Sequence, residues 1–475
     1  MQHEPTETSE DTLKKLLVPE KLEHCFECGI CTASCPVAKL IYKHYNPRIL
    51  LQTVAKDLDK AITEVQPWMC AWCDRCYKRC PQGLNLPEIF LLTRNIAAEK
   101  GYTSKFSEAL EIIGKEIPLA GVCGTVCFSK IDDPTALKTL ERYVEEYELK
   151  KKNEKTIPVP KKNAAKKIAI LGSGPAGLMA AYDLAKKGYP VTIFETLPEP
   201  GGMLRAGIPK FRLPRKVLDA EIERIKGLGV EIRTNLTAGK DVTIDGLLKN
   251  GYKAVFVATG APKSRKLHVA GEEIKGVMHA IDLLREASMG KKLELGNRVA
   301  VIGGGNVAID AARAALRLGA KEVTILYRRS REEMPANPWE VRHGEKEGVK
   351  IHFLVAPKKI VGKDGRLVSI ECVRMELGEP DESGRRRPIP VENSEFTIQL
   401  DTLILAIGES PDPFFLPKGI EVTRQHTVTV DPITLETSLP GIFAGGDVVS
   451  GPATVIEAIV AGRKAASFID EYLTS

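Results

Sequence analysis

The hydrophobic positions follow two different periods along the 475-residue chain. Near the beginning, residues 47–65 carry apolar side chains every three or four positions, a spacing that places them on one face of a helix. Residues 86–98 repeat this pattern, and Asn85 with Pro87 supplies a cap and a first-turn proline. A shorter helical stretch surrounds Leu13. The first part of the chain is therefore predicted to be helical.

Beyond the first third of the chain, short apolar runs alternate with glycine turns and helical segments. Strands are predicted at 167–171, 190–194, 298–302 and 322–327, and glycine turns follow the first and the third of them. This alternation is typical of doubly wound α/β domains with parallel sheets. Because the beginning of the pattern occurs twice, we expect two Rossmann-like nucleotide-binding domains, the second inserted in the first.

Composition and charge narrow the class of protein only slightly. With 43% hydrophobic and 27% charged residues the chain is an ordinary globular protein, and a net charge of +6 is too small to indicate nucleic-acid binding. Residues 1–11 are polar and lack the apolar core of a signal peptide. The longest apolar run, 168–185, contains Asp183 and a glycine turn, which favours a buried strand and helix over a transmembrane segment. We therefore expect a cytoplasmic protein.

Ten of the eleven cysteines fall before residue 128. Structural disulfides are rare in the cytoplasm, so clustered cysteines are better interpreted there as metal ligands. Eight of them form two runs of the pattern Cys-x2-Cys-x2-Cys-x3-Cys-Pro, namely Cys25, Cys28, Cys31 and Cys35, then Cys70, Cys73, Cys76 and Cys80. This repeat is typical of ferredoxins with two [4Fe–4S] clusters, in which the fourth cysteine of each run ligates the other cluster.

The spacing thus predicts a crossed set of cluster ligands. One cluster is expected on Cys25, Cys28, Cys31 and Cys80, and the other on Cys35, Cys70, Cys73 and Cys76. Structural zinc is the alternative, but zinc prefers two separated pairs of ligands. Cys123 and Cys127 could replace cluster ligands, line the route to a flavin or be a remnant. Cys372 stands alone and is expected to be a small buried hydrophobe.

The first glycine turn consists of Gly172, Gly174 and Gly177, between a predicted strand and a predicted helix. Such glycines permit a tight turn and let the backbone approach a pyrophosphate at the helix N-terminus. Glu195 ends the next strand, where a carboxylate can bind the ribose hydroxyls of FAD or NAD. The further candidates in this unit are Pro175, Ala176, Gly260, Gly446 and Asp447, the last of which can hydrogen-bond the ribityl chain of a flavin.

The second glycine turn consists of Gly303, Gly304 and Gly305, followed by Asn306. The strand after its helix ends in Arg328 and Arg329 instead of an acid. A pair of guanidinium groups suits a 2′-phosphate through charge-assisted hydrogen bonds, so NADP(H) is expected here in preference to NAD(H). A solvated arginine pair at a strand end is the alternative.

Two nucleotide sites and two clusters together predict an electron-transfer chain. A flavin accepts a hydride and releases electrons singly, so the protein need only position the cofactors and tune their potentials. No catalytic acid or base is required, and none is assigned. The predicted domains are a helical cluster domain at 1–120, a connecting segment with a basic linker at 121–165, an FAD-binding domain at 166–270 and 400–475, and an NAD(P)-binding domain at 271–399.

Residues 160–475 resemble the flavoprotein of the glutamate synthase small subunit, a module also found in dihydropyrimidine dehydrogenase and in NADH-dependent ferredoxin:NADP oxidoreductase. The motifs that carry the resemblance are Gly-Ser-Gly-Pro-Ala-Gly from Gly172, the stretch from Pro200 to Pro214, the triple glycine from Gly303, Leu326 to Pro335, and Ala444 to Asp447. The resemblance implies FAD contacts from Gly202, Leu204, Arg212, Asp447 and Thr454, and NADP contacts from Gly303 to Asn306, Arg328 and Arg329. Residues 20–105 resemble the iron–sulfur subunit of heterodisulfide reductase in which the same cysteine pattern recurs.

These features predict an NAD(P)H:iron–sulfur acceptor oxidoreductase within a hetero-oligomeric complex. Its partner is expected to be ferredoxin or another iron–sulfur protein or subunit. One alternative is a glutamate synthase small subunit that delivers electrons to a large subunit. The other is a non-enzymatic adaptor, which the intact glycines of both nucleotide units disfavour. The basic stretch at 150–167 is expected to be a solvated linker, with a docking surface for an acidic partner as the alternative.

Overall fold

The chain divides into two units, each with its own core. The computed structural model describes residues 9–17, 28–116, 119, 122, 165–381 and 384–475. Cys25, Cys123, Cys127 and most of the basic stretch lie outside these residues. The first unit comprises Met1–Gly201, Arg212–Gly260 and Pro413–Ser475, and the second comprises Gly202–Phe211 and Ala261–Asp412. In the described ranges, no helix has both the length and the apolar character needed to cross a membrane.

The N-terminal part of the described chain is helical, as the hydrophobic spacing predicts. Its helices are α1 (Ser9–Leu16), α2 (Ile30–Ser34), α3 (Pro36–Leu40), α4 (Pro47–Lys56), α5 (Leu58–Thr63), α6 (Arg75–Lys78), α7 (Leu86–Glu99) and α8 (Ser104–Glu116). The expected helical stretch at 47–65 is two helices, because Asp57 leaves the helical conformation and its carboxylate caps α5 by accepting from the Lys60 N–H at 2.9 Å. Asn85 caps α7 as expected, by accepting from the Glu88 N–H.

The remainder of the described chain alternates strands and helices. The strands are β1 (Lys167–Leu171), β2 (Val191–Phe194), β3 (Glu231–Arg233), β4 (Tyr252–Val257), β5 (Lys263–Ser264), β6 (Val277–His279), β7 (Arg298–Ile302), β8 (Glu322–Tyr327), β9 (Lys350–Phe353), β10 (Val355–Lys363), β11 (Arg366–Pro380), β12 (Arg386–Pro390), β13 (Phe396–Gln399), β14 (Thr402–Leu405), β15 (Glu409–Ser410) and β16 (Ile442–Ala444). The helices are α9 (Pro175–Lys186), α10 (Met203–Ala206), α11 (Arg215–Gly227), α12 (Ile244–Lys249), α13 (Ala280–Ser288), α14 (Asn306–Arg317), α15 (Pro338–Lys346), α16 (Asp447–Ser450) and α17 (Val455–Thr474).

Each unit contains a five-stranded parallel sheet. The first sheet has the order β16-β4-β1-β2-β3, and the second has the order β6-β14-β7-β8-β9. In both sheets the central strand, β1 or β7, is apolar and buried after its first residue, and a glycine turn follows it. Because ligands of such sheets bind at the carboxyl ends of the strands, this turn marks the expected nucleotide site in each unit.

The second unit also contains an antiparallel insertion between β9 and β14. Strands β10, β11 and β12 pair in that order, and β13 pairs with β11. Cys372 lies on β11 with no exposed surface, in a cluster that includes Ile302 and Leu405 of the parallel sheet. The expectation that Cys372 is a buried hydrophobe is confirmed, and its burial raises the pKa of the thiol to about 12.

Candidate functional site

The two cysteine runs share one backbone device. Gly29 and Asp74 each follow the second cysteine of their run, and both adopt the left-handed conformation, with φ of 63° and 59°. Each is the residue before a short helix, α2 or α6, that carries the third cysteine of the run. The left-handed residue turns the chain sharply, so that cysteines on both sides of it can reach a common centre. The sequence repeat is thus a structural repeat.

Four thiols lie together around the second run. Cys35, Cys70 and Cys76 are buried and Cys73 is half-buried. Burial, together with the neighbouring Cys70 and Cys73 charges, raises the pKa of Cys35 to about 12, and burial with the Cys70, Cys73 and Cys35 charges raises the pKa of Cys76 well above its usual range. Cys35 of the first run therefore lies beside the second run. This is the crossed arrangement that the spacing predicts.

The surroundings of these thiols fit an iron–sulfur cluster. The backbone N–H groups of Ala38 and Trp72 donate to the sulfurs of Cys35 and Cys70, each at 3.4 Å. Neutral buried thiols that crowd one another gain little, whereas thiolates bound to iron would be compensated by the metal charge and by such N–H donors. Among the described residues, no three His, Cys, Asp or Glu side chains converge on a position for a single metal ion.

Two buried side chains that the sequence analysis did not identify support the second run. Arg94 has 1% of its surface exposed and donates from Nε to the Pro67 carbonyl oxygen at 2.6 Å and from a terminal nitrogen to the Cys70 carbonyl oxygen. Burial, followed by the Cys70, Cys35 and Cys76 charges, raises the pKa of Tyr45. A buried arginine in the middle of an apolar helix is the signal that could have revealed this support, because it requires buried acceptors.

The first run is more open. Cys28 is exposed, Cys31 is buried and Cys80 is half-buried, with the Leu84 N–H donating to the Cys80 sulfur at 3.4 Å. Burial raises the pKa of Cys31, and the Cys28 charge adds to that effect. Cys25 lies outside the described residues. The expected ligand set of this run therefore stays a prediction.

The first glycine turn leaves no space for side chains where the fold needs glycine. A Cβ on Gly172 would lie 2.5 Å from the Ala258 carbonyl oxygen, and one on Gly177 would lie 2.0 Å from the Gly172 carbonyl oxygen. A Cβ on Gly174 would meet nothing within 4 Å, so this side of the turn is open. Two closed positions and one open position are what a pyrophosphate at the start of α9 requires.

Glu195 lies against this turn and is held by it. Its buried carboxylate accepts from the Ser173 N–H at 2.9 Å, from the Ser173 hydroxyl and from the Leu197 N–H. Ser173 in turn accepts from the Gly201 N–H at 2.8 Å. The adjacent Thr259 hydroxyl oxygen is buried and has no hydrogen-bond partner. A buried hydroxyl without a partner beside an open glycine turn fits a polar nucleotide ligand such as FAD.

The second glycine turn repeats the first with different side chains. A Cβ on Gly303 would lie 2.2 Å from the Ala406 carbonyl oxygen, whereas one on Gly305 would meet nothing within 4 Å. The strand registers pair Leu171 with Phe194 and Ile302 with Leu326, so Tyr327 is the structural counterpart of Glu195. The Tyr327 ring fills the space beside Gly304, where a Cβ would come within 2.4 Å of the ring. The arginines therefore begin one residue beyond the position of the acid.

Arg328 and Arg329 differ sharply in environment. Arg328 is exposed, and burial of its base together with the Arg329 and Arg385 charges lowers its pKa. Arg329 is buried, and it donates to the Asp381 carboxylate at 2.6 Å and to the Arg386 carbonyl oxygen at 2.8 Å. Arg386 also donates to Glu333 at 2.7 Å. The antiparallel insertion thus braces the loop that presents Arg328, and Arg329 is part of that brace.

The other expected nucleotide-binding residues occupy both units. Gly260, Gly446, Asp447 and Thr454 belong to the first unit, as does Arg212, whereas Gly202 and Leu204 belong to the second. Gly202 and Gly446 have φ of 52° and 77°, in the region that favours glycine. Asp447 begins α16, directly after β16. Pro175 and Ala176 form the first turn of α9, and Asn306 that of α14.

Thr454 and Glu457 form a capping box at the start of α17. The Glu457 carboxylate accepts from the Thr454 N–H at 2.9 Å, and the Thr454 hydroxyl accepts from the Glu457 N–H at 3.4 Å. The other oxygen of Glu457 accepts from Arg75 Nε in the second cysteine run. Burial raises the pKa of Cys73 to about 12, and the Glu457 charge is among the further causes. The cysteine loop is therefore in contact with the cap of α17.

Comparison with known proteins places both parts of the chain. The profile of the pyridine nucleotide-disulphide oxidoreductases matches residues 166–462, and that of the 4Fe-4S dicluster domain matches residues 21–84. FprA of Mycobacterium tuberculosis in complex with NADPH superimposes with a TM-score of 0.56 at 22% identity, covering 65% of this chain and 84% of FprA. That similarity establishes the fold of the nucleotide-binding part.

Relatives cover most of the chain. The β subunit of the NADP(+)-dependent formate dehydrogenase of Moorella thermoacetica is 46% identical over 84% of this chain and 60% of its own length. The β subunit of the NADPH-Fe(3+) oxidoreductase of Geobacter sulfurreducens is 40% identical over 98% of this chain and 73% of its own. The small chain of the NADPH glutamate synthase of Escherichia coli is 35% identical over 84% and 88%.

The two matched profiles confirm the expected cofactors: FAD, NADP(H) and two [4Fe–4S] clusters. They also confirm an oxidoreductase, and they exclude the zinc alternative for the cysteine runs. The described side chains fit these groups at both glycine turns and at the second cysteine run. The chain belongs to the pyridine nucleotide-disulphide oxidoreductase family, in the group that includes the glutamate synthase small chain, and carries a 4Fe-4S dicluster domain at its N-terminal end.

Proposed function

We propose that this chain is an NADPH:iron–sulfur acceptor oxidoreductase. FAD supplies the conversion between the two-electron chemistry of NADPH and the one-electron chemistry of the clusters. The electrons pass on to ferredoxin or to an iron–sulfur subunit of a hetero-oligomeric complex in the cytoplasm. The chain spans 60% of the formate dehydrogenase β subunit and 73% of the NADPH-Fe(3+) oxidoreductase β subunit, and both of these relatives are named as subunits.

One observation carries the proposal. The thiols of Cys35, Cys70, Cys73 and Cys76 belong to the same compact unit as the first glycine turn. The arginine-bearing turn belongs to the other unit. A cluster, a flavin nucleotide and a phosphorylated nicotinamide nucleotide therefore each have a separate set of residues in one chain. Such a chain can take a hydride at one set and release single electrons at another.

The residues have the following proposed roles. Ligands of the clusters are Cys25, Cys28, Cys31, Cys35, Cys70, Cys73, Cys76 and Cys80. FAD is held by Gly172, Gly174, Pro175, Ala176, Gly177, Glu195, Gly202, Leu204, Arg212, Gly260, Gly446, Asp447 and Thr454. NADP(H) is held by Gly303, Gly304, Gly305, Asn306 and Arg328, with Arg329 supporting Arg328. The domain limits proposed from the sequence, with an NAD(P)-binding domain at 271–399 inserted in the FAD-binding domain, complete the proposal.

A second candidate is the small chain of a glutamate synthase. The observation in its favour is the 35% identity to the Escherichia coli small chain, over 88% of that protein. The regular ferredoxin-type spacing of both cysteine runs favours the first candidate, because it suits exchange with an iron–sulfur partner. Co-purification with a glutaminase-bearing subunit would support the second candidate. Ferredoxin-dependent reduction of NADP+ by the isolated chain would support the first.

An anaerobic titration tests the proposal directly. NADPH, and separately NADH, is added to the reconstituted chain while flavin absorbance and the electron paramagnetic resonance (EPR) of the clusters are recorded. We expect near-stoichiometric NADPH to bleach the flavin and reduce the clusters, and NADH to be far less effective. If neither nucleotide bleaches the flavin of a cluster-loaded protein, the proposal is wrong for the isolated chain.

A further inference from the structure

Arg75 connects the second cysteine run to α17 through a single carboxylate. It lies between the ligands Cys73 and Cys76, and its Nε donates to Oε1 of Glu457. The other oxygen of Glu457 accepts from the Thr454 N–H at 2.9 Å and from the Thr454 hydroxyl at 2.7 Å. The Glu457 side chain is 16% exposed and that of Arg75 is 38% exposed. Because the helix cap fixes the carboxylate, this ion pair fixes the position of the cysteine loop.

The same helix lies directly against the first glycine turn. A Cβ on Gly462 would lie 2.1 Å from the Ala176 carbonyl oxygen, so α17 and the beginning of α9 touch backbone to backbone. Glu457 and Gly462 are separated by about 8 Å along the helix axis, at about 1.5 Å per residue. One rigid helix thus carries the anchor of the cysteine loop at its first turn and contacts the nucleotide turn just beyond it.

Two further contacts hold the helical part at this side. Helix α3, which begins directly after Cys35, packs against α17. Arg463 of α17 donates to Asp183 of α9 at 3.2 Å and to the carbonyl oxygen of Glu116 at the end of α8. Both the second run and Cys35, its crossed ligand, are therefore held to α17. Cys28 of the first run, in contrast, is exposed.

We propose that the cluster of Cys35, Cys70, Cys73 and Cys76 exchanges electrons with the flavin, and that Arg75 is the positioning residue that fixes it against α17. The cluster of Cys25, Cys28, Cys31 and Cys80 then exchanges electrons with the partner protein. The inference rests on the proposed function and adds the order of the clusters and the contact that sets it. A hydride carries two electrons and each cluster accepts one, so the electrons leave singly and the proton is released to solvent.

Two matched ligand variants test the order. Cys73 and Cys28 are the second cysteines of their runs, and each is replaced by serine to remove one cluster. With Cys73→Ser we expect NADPH to bleach the flavin but to leave the remaining cluster EPR-silent, although dithionite reduces it. With Cys28→Ser we expect NADPH to reduce the remaining cluster. The reverse pattern, or equal reduction of the remaining cluster in both variants, overturns the order.

A milder variant tests the contact without removing a ligand. Displacing a positioned group by about 1 Å can cost on the order of 100-fold in rate, so we expect Arg75→Ala to slow the appearance of the cluster EPR signal by about tenfold or more. Flavin bleaching and the dithionite-reduced spectrum should be unchanged. Lys78→Ala removes an exposed charge from the same short helix and is the control. An unchanged rate in Arg75→Ala, or an equal loss in Lys78→Ala, overturns the role of Arg75.

The failure of this inference can be distinguished from the failure of the proposed function. A light pulse in the presence of EDTA reduces the bound flavin without any nucleotide. If NADPH fails but the photoreduced flavin reduces the cluster of Cys28→Ser and not that of Cys73→Ser, the proposed function is wrong and the order stands. If NADPH bleaches the flavin normally and the remaining cluster of Cys73→Ser is still reduced, the order is wrong and the proposed function stands.

Discussion

The two glycine turns use the same backbone and place charge differently. Gly172 and Gly303 both have positive φ, and in both a Cβ would strike the carbonyl oxygen of the neighbouring parallel strand, at 2.5 and 2.2 Å. At the end of the next strand the first turn has a buried carboxylate, Glu195, bonded to Ser173. The second has the Tyr327 ring against Gly304, and its charge follows on Arg328.

This difference teaches that a change of nucleotide does not require a change of fold. Exchanging a serine and a glutamate for a glycine and a tyrosine replaces an internal hydrogen bond by an aromatic contact. The charged residue then moves one position along the chain, from inside the turn to its exposed edge. A carboxylate inside suits unmodified hydroxyl groups, whereas an exposed guanidinium suits a phosphate. The predictions below test this comparison.

The largest effect is expected from Gly177→Ala, which should abolish FAD binding. The new Cβ would lie 2.0 Å from a backbone carbonyl oxygen that cannot move aside. Overpacking of this kind typically costs about 1–3 kcal/mol, and here it also distorts the turn that binds pyrophosphate. The FAD content per chain, measured by absorbance after purification, checks this. Gly227→Ala, at a position with nothing within 4 Å, should keep full occupancy and is the control. Full FAD content in Gly177→Ala would contradict the assignment of the first turn.

Arg328→Ala should impair NADPH selectively. Hydrogen bonds to a charged group contribute about 1.5–3 kcal/mol, so kcat/KM for NADPH should fall by about 10- to 100-fold. The same parameter for NADH should hardly change, because NADH lacks the phosphate. Steady-state reduction of an artificial acceptor with each nucleotide measures both values. Arg387→Ala removes an exposed arginine from β12 and should leave both nucleotides unaffected. Equal losses for NADH and NADPH would show that Arg328 does not read the phosphate.

Asp381→Asn should have a smaller effect on the same selectivity. The substitution weakens the hold on Arg329 and therefore loosens the loop that carries Arg328. We expect a loss of about 1–3 kcal/mol in unfolding free energy and a few-fold rise in KM for NADPH. Denaturant unfolding and steady-state kinetics provide the two measurements. If Arg329 itself bound the phosphate, releasing it from Asp381 would lower KM for NADPH instead.

The smallest effect concerns the far end of α14 and depends on pH. Burial would raise the pKa of Glu347, but hydrogen bonds from Arg317 and Arg313 outweigh burial and lower it from 4.5 to about 2. Because the folded pKa is lowered, the stabilisation is present above about pH 4.5 and is lost as the pH falls towards about 2. Glu347→Gln should therefore melt below the wild type at pH 7 and converge with it near pH 2. Glu392→Gln, at an exposed site, is the control for calorimetry. A constant difference at every pH would contradict this.

Local sequence signals predicted the parts of the fold that depend on local interactions. Strand β8 spans the residues that the apolar run marks, and Asn85 caps α7 as expected. The break at Asp57 was missed because apolar spacing continues across it, although the side chain is a good helix cap. Hydrophobic periodicity reports which face is buried, and it does not report where the backbone interrupts a helix.

The parts that the sequence did not reveal depend on distant partners. Arg329 was expected at a phosphate, but it pairs with Asp381, 52 positions away, on an insertion that the sequence analysis did not identify. Glu457 lies 382 positions from Arg75, and neither was singled out. A charged residue alone gives no sign of its partner, so only the folded chain could show that both pairs are positioning contacts.

The division of the chain also has a consequence for how it is synthesised. The second unit is built from residues between 202 and 412, but the first needs β16 and α17, which come last. On the ribosome, the second unit can fold while β4 still lacks its neighbour β16. The cysteines are among the first residues made, and their anchor Glu457 is among the last. Newly made chains therefore pass through an interval in which the thiols are unsheltered, and cluster assembly has to take place within it or after it.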